Sequence, residues 1–103
     1  MSTALVVQGV IVEQTLYFSL GELCRACRAE AEQLMALVEE GVLEPAGNGP
    51  EDWQFAGPSL RRAHTALRLT RDLELNPAAT ALVLDLLDEI EALRSRLRRA
   101  GLE

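Results

Sequence analysis

A pair of short helices, punctuated at both ends between Phe18 and Leu43, constrains this chain more than any other feature. Ser19 is a good N-cap, because its hydroxyl can accept a backbone N–H that the first helical turn leaves unpaired. Glu22 stands where its carboxylate completes a capping box. Leu20, Leu23, Cys24 and Cys27 then fall at i, i+3, i+4 and i+7, one apolar stripe on a helix predicted over 20–26. A second helix is predicted over 29–40, burying Ala31, Leu34, Met35 and Val38 with Leu37 at the edge. Gly41 supplies the left-handed residue that ends it. Two short helices joined by a tight turn make a helix-turn-helix unit over 18–43.

The flanks extend that unit. Leu5-Val6-Val7 and Val10-Ile11-Val12 are rich in β-branched residues, which predicts a strand over 4–13, bulged at Gly9. Leu16-Tyr17-Phe18 reads as the lead-in to the first helix. Pro45-Ala46-Gly47-Asn48-Gly49-Pro50 is turn-rich, and Trp53-Gln54-Phe55 alternates apolar with polar, so 44–57 reads as a loop and short strand, a wing. Gly57-Pro58-Ser59 opens a helix over 58–75 with an apolar stripe of Leu60, Ala63, Ala66, Leu67, Thr70 and Leu73.

Asn76-Pro77, an N-cap followed by N1 proline, opens the last helix, predicted over 77–100. Val83, Leu86, Ile90, Leu93 and Leu97 follow at alternating spacings of three and four, the seam of a short coiled coil. Leu82, Leu84 and Leu87 widen the apolar surface near the helix start, as expected of an end that packs on the domain. At about 36 Å by helix rise, this helix outruns what a 103-residue domain can cover. Its distal part is expected to pair with a second copy through Leu86, Ile90, Leu93 and Leu97. The expected architecture is one mostly α domain over 1–103, a winged helix-turn-helix with a short N-terminal β element and a long C-terminal helix.

The charge belongs to one half. Residues 1–55 hold nine acids against Arg25 and Arg28, a net of −7, and residues 56–103 hold seven acids against eight arginines, a net of +1, which together give −6. Duplex DNA is a polyanion bound chiefly through cations that neutralise phosphates. Where a helix-turn-helix reader needs Arg and Lys, this chain carries Glu30, Glu32, Glu39, Glu40, Glu44, Glu51 and Asp52. Such a surface suits a basic protein partner. The residues expected to meet it are Glu32, Glu39, Glu40, Glu44, Glu51, Asp52 and Trp53, the carboxylates steering and the indole anchoring. The competing reading leaves the acids solvated and places Trp53 in the core beneath the wing.

Other chemistry finds little support. Cys24 and Cys27 form a lone C-x-x-C on the apolar stripe, where a free cysteine packs as a small hydrophobe. With His64 as the only other soft or borderline ligand, no four-ligand zinc set assembles. No nucleophile, base and orienter can be grouped around His64, which is read as an exposed, non-catalytic residue. Gly47 and Gly49 precede acids, not the Lys and helix of a phosphate loop. Neither an enzyme, a cofactor nor a metal is expected. The face of Arg61, His64, Arg68 and Arg71 offers contact to phosphate, but ordinary surface is the preferred reading, with Arg68 and Asp72 at i, i+4 able to pair weakly. Leu5 to Val12 lacks a basic leader and is too short to span a bilayer, so a cytoplasmic protein without membrane contact is expected.

The order of strand, helix-turn-helix, wing, helix and Asn-Pro-capped long helix resembles the MerR-like fold. It is most similar to one branch, the chaperone modulatory proteins of the CbpM family. Four segments carry the resemblance: Phe18-Ser19-Leu20-Gly21-Glu22-Leu23-Cys24, Gly41-Val42-Leu43-Glu44-Pro45, Trp53-Gln54-Phe55, and the run from Leu67 to Asn76. The Leu-rich helix from Asp85 to Leu97 extends it. The resemblance implies an inhibitor of a DnaJ-like co-chaperone, CbpA, that binds the J domain and blocks its action on DnaK. It also implies that the J domain offers a basic helix, which an acidic surface can compete for. The alternative is a MerR-like dimeric transcription regulator that reads DNA. Against it, the turn after the first helix reads Ala26-Cys27-Arg28-Ala29 in place of the usual Gly-Ser. The second helix lacks a Thr-Leu-Arg-Tyr-Tyr-like run, and the wing lacks an Arg-Tyr pair.

Overall fold

The computed structural model describes residues 4–7, 10–13 and 16–102, the first two segments by backbone alone. β1 (Ala4–Val7) and β2 (Val10–Glu13) pair antiparallel, with Ala4 opposite Glu13 and Val7 opposite Val10. The continuous strand expected over 4–13 is therefore a hairpin. The β-branched run pairs with itself, so each half satisfies backbone groups that a lone strand would leave open. Gly9, the expected bulge, lies outside the described residues.

β3 (Tyr17–Phe18) follows and leads directly into α1 (Leu20–Cys27). The capping box is present: Glu22 N–H donates to Ser19 Oγ at 3.1 Å, and Ser19 N–H donates to Glu22 Oε1 at 2.8 Å. α1 ends at Arg28, which takes the left-handed conformation at φ 54° while Ala29 N–H reaches back to the Cys24 carbonyl at 3.0 Å. This closure occupies residues 28–30, so α2 (Ala31–Glu39) starts later than position 29. Gln33 Oε1 accepts the Glu30 N–H at 2.8 Å there. α2 stops in a Schellman arrangement: Gly41, at φ 79°, donates to the Val38 carbonyl, and Val42 N–H donates to the Leu37 carbonyl at 2.9 Å.

The phase of α2 differs from expectation. Leu34 and Leu37 are buried, Met35 and Val38 are half-buried, and Ala31 is exposed. The Schellman turn tucks Val42 and Leu43 under the helix end, and both join the core on the side that Leu37 faces. That rotates the buried stripe toward Leu37.

β4 (Phe55–Ala56) pairs antiparallel with β3, with Tyr17 opposite Ala56 and Phe18 opposite Phe55. The lead-in is thus a strand, and it ties the entry of α1 to the entry of α3 (Gly57–Leu73). The wing itself is closed by reciprocal bonds between Ala46 and Gln54, at 3.0 and 2.9 Å. α3 stops at Leu73, short of the expected 75, because Glu74 turns left-handed at φ 53°, and Leu73 is exposed, not part of the buried stripe.

Asn76 Oδ1 accepts the Ala79 N–H at 2.8 Å and opens α4 (Pro77–Arg99). Only its first part is held: Thr80 and Leu84 are buried, and the Thr80 hydroxyl bonds that of Thr70 on α3 at 3.1 Å. Leu82 and Leu87, expected to pack at this end, are exposed. The core gathers Leu23 of α1, Leu34 and Leu37 of α2, Phe55, and Leu60, Ala63 and Ala66 of α3, with Leu84 closing it. Burying a Leu or Phe side chain contributes about 1.5–3 kcal/mol, so these few contacts hold the helix-turn-helix against α3. Arg62 fastens the assembly, with Nε donating to the Val42 carbonyl at 2.8 Å and a guanidinium nitrogen 3.1 Å from Asp88.

A candidate protein-docking surface

α2 presents its acids away from the core. With Leu34 and Leu37 turned inward, Glu32, Glu39 and Glu40 are exposed, and α2 contains no Arg or Lys. Glu32 and Glu39 are seven residues apart and so lie on one face, about 10 Å apart along the axis. The wing carries Glu51 and Asp52, both exposed. Its shape depends on Gly47, at φ 117°, where a Cβ would stand 2.6 Å from the Asp52 carbonyl oxygen and 3.3 Å from Trp53 Cα. Asp52 N–H in turn donates to the Gly49 carbonyl at 2.9 Å. The wing acids are therefore presented on a braced loop.

Trp53 is half-buried and packs edge-on to Phe55, with ring centroids 5.8 Å apart and an interplanar angle of 84°. One side of the indole rests on the core and the remainder is accessible, so Trp53 neither fills the core completely nor stands fully in solvent. Glu44 falls in different company. It lines a recess with Gly41, Pro58, Ser59, Arg62 and Asp85, at the junction of α3 and α4. Asp85 was not singled out from sequence, because its proximity to Glu44 exists only in the folded chain.

Along α4, Leu86, Ile90, Leu93 and Leu97 are 44–55% exposed and share the seam read from sequence. Among the described residues none buries them. Arg98 pairs with Glu91 at 3.2 Å beside this seam.

On the other side, α1 and α3 enclose a cleft of about 720 Å³. It brings Arg25 and Arg28 of the first helix and its turn together with Arg61, His64, Arg68 and Arg71 of the third. Sequence periodicity grouped only the α3 residues. Asp72 pairs with Arg71 at 3.2 Å, not with Arg68 as its spacing suggested. His64 is half-buried, not exposed, and burial lowers its pKa by disfavouring the imidazolium. Cys24 and Cys27 are free thiols. Burial pushes Cys27 up to about 11, with Cys24 adding to the rise, the reverse of what a redox-active dithiol requires. Among the described residues no group of His, Cys, Asp or Glu is arranged to hold a metal, and no helix is long and apolar enough to cross a membrane.

Residues 18–100 match the family model of MerR HTH family regulatory proteins. A protein named chaperone modulatory protein CbpM from Coxiella burnetii is 38% identical over 96 residues, covering 93% of this chain and 91% of the relative. A protein of the same name from Pseudomonas putida strain F1 is 36% identical over 95 residues, covering 92% and 85%. The match with the MerR model spans the described wing, both short helices, α3 and α4.

Proposed function

The chain belongs to the MerR-type helix-turn-helix family and to its CbpM branch, and from that premise we propose that it modulates a chaperone system by binding protein. Its relatives are named for modulation and regulation, which supports a role without catalysis. The partner is the J domain of a DnaJ-like co-chaperone of the CbpA type. Binding covers the basic surface through which the J domain meets DnaK, and stimulation of DnaK is lost.

The observation that carries this reading is the exposed face of α2, with Glu32, Glu39 and Glu40 outward and no cation among its residues. A helix-turn-helix fold directs this element at its target. Carboxylates there repel a phosphate backbone and attract ammonium and guanidinium groups, which raises the rate of encounter with a basic partner. Glu51, Asp52 and the accessible part of Trp53 extend the contact into the wing, and Glu44 with Asp85 forms its flank. The working unit is a homodimer joined through Leu86, Ile90, Leu93 and Leu97, acting in the cytoplasm without sequence-specific DNA binding.

A reconstituted ATPase assay tests this. Added protein should lower the J-domain-stimulated rate of DnaK toward its basal value and leave the basal rate unchanged. An unchanged stimulated rate at excess protein would contradict the proposal. A gel shift giving a sequence-dependent, salt-sensitive complex would favour the DNA-reading alternative.

A further inference from the structure

Half of the chain's ten cations line one cleft. Arg25 and Arg28 approach from α1, and Arg61, Arg68 and Arg71 from α3, in a protein whose acids outnumber its cations by 16 to 10. No carboxylate lines the cleft among the described residues, and among those residues these arginines form one ion pair, the exposed contact of Arg71 with Asp72. Like charges gathered in a concavity focus a positive potential there and repel one another until an anion enters. Arg28 adds a second observation. It holds a left-handed turn position at φ 54°, where glycine would avoid a cost of about 1–2 kcal/mol, and this conformation leaves its side chain in the cleft lining.

We propose that this cleft is a second recognition site, one that seats an acidic peptide segment of a partner protein. The site is independent of the acidic α2 face and goes beyond the function proposed above. Its lining also includes apolar side chains: the buried Leu60, the half-buried Phe18, Cys27 and Leu67, and the exposed Ala26. A bare phosphate has nothing to place there, whereas a peptide can lay apolar side chains against this part of the lining and direct carboxylates to the guanidiniums, which bind them in bidentate fashion. From Arg61 to Arg71 is ten residues of helix, about 15 Å, a length an extended peptide covers with about five residues. Nucleic acid fits less well. A duplex offers a convex surface to a concave cleft, and single strands rely on stacking, for which the described lining supplies Phe18, itself packed against the core, and the half-buried His64.

The test is fluorescence anisotropy with a labelled six-residue peptide of alternating Glu and Leu. Saturable binding that weakens with salt is expected. It should weaken at least tenfold in Arg61→Ala/Arg68→Ala and remain in Arg94→Ala/Arg96→Ala, which removes the same charge from α4. Arg28→Gly should weaken binding while raising the melting temperature, a combination that damage to the fold would not produce. Absence of saturable binding would overturn the proposal, as would equal loss in the two double variants. Competition by hexathymidylate or tripolyphosphate as strong as that of unlabelled peptide would overturn it too, assigning the cleft to phosphate.

Discussion

Arg62 donates its Nε–H to the carbonyl of Val42 across 2.8 Å, joining the end of the helix-turn-helix to α3. Val42 lies just after the Schellman turn that ends α2, so this bond helps fix how the acidic helix is presented. The same guanidinium meets Asp88 on α4, but that carboxylate is largely exposed. The two contacts should therefore differ in weight. Arg62→Ala is expected to lower stability by about 1.5–3 kcal/mol, the range for hydrogen bonds involving charged groups. Asp88→Ala should cost about 0–1 kcal/mol. Urea denaturation of both variants measures the difference.

Gly47 governs the wing. Gly47→Ala would force a Cβ against the Asp52 carbonyl and strain a backbone at φ 117°. A destabilisation of about 1–3 kcal/mol is expected for such a position. Because Trp53 is the only tryptophan and follows Asp52, its emission should shift in the same variant. Gly49→Ala, with no atom within 4 Å of the added carbon, should leave both readings unchanged.

The thiols give a pH-dependent prediction. The thiolate is the reactive form, and burial raises Cys27 to about 11. At pH 8 its alkylation by iodoacetamide should be more than about tenfold slower in the native protein than in denaturant, where the thiol returns to its ordinary range. The native rate should climb as pH rises toward that value. Fast native alkylation at pH 8, read by mass spectrometry, would restore a redox role for the C-x-x-C.

The α4 seam predicts the state of assembly. Ile90 is 46% exposed in one chain, so Ile90→Asp should leave the monomer's fold intact. In a dimer the same change buries an unpaired carboxylate, which is costly. Sedimentation should find a dimeric parent and a monomeric variant of similar helicity. A monomeric parent at high micromolar concentration would remove the seam from the account.

Local chemistry carried most of what sequence revealed. Ser19 with Glu22, Gly41, and Asn76-Pro77 each fix a helix end through neighbours within three or four residues, and each is found in the structure. The phase of α2 was not legible, because Leu34, Met35, Leu37 and Val38 allow more than one buried stripe. Only the packing of Val42 and Leu43 beneath the helix selects Leu37. The alternation at Trp53-Gln54-Phe55 marked a short strand, found as β4, but β3 is two residues long with no period to read, and its pairing with β4 far along the chain was not legible. The candidate surfaces divide in the same way. The acids of α2 follow from helical spacing, whereas the meeting of Arg25 and Arg28 with the α3 arginines, and of Glu44 with Asp85, arises from tertiary packing.

In the proposed function the α2 carboxylates steer and hold a basic J domain. The most direct measurement is the association rate of the isolated J domain with the parent protein and with Glu39→Arg/Glu40→Arg, across a salt series. Both positions are exposed and outside the core, so the variant should fold. Removing electrostatic steering should lower the association rate at low salt by about tenfold or more, flatten its salt dependence, and weaken inhibition of DnaK stimulation. Identical association rates with identical salt dependence would contradict the account and move the contact off α2.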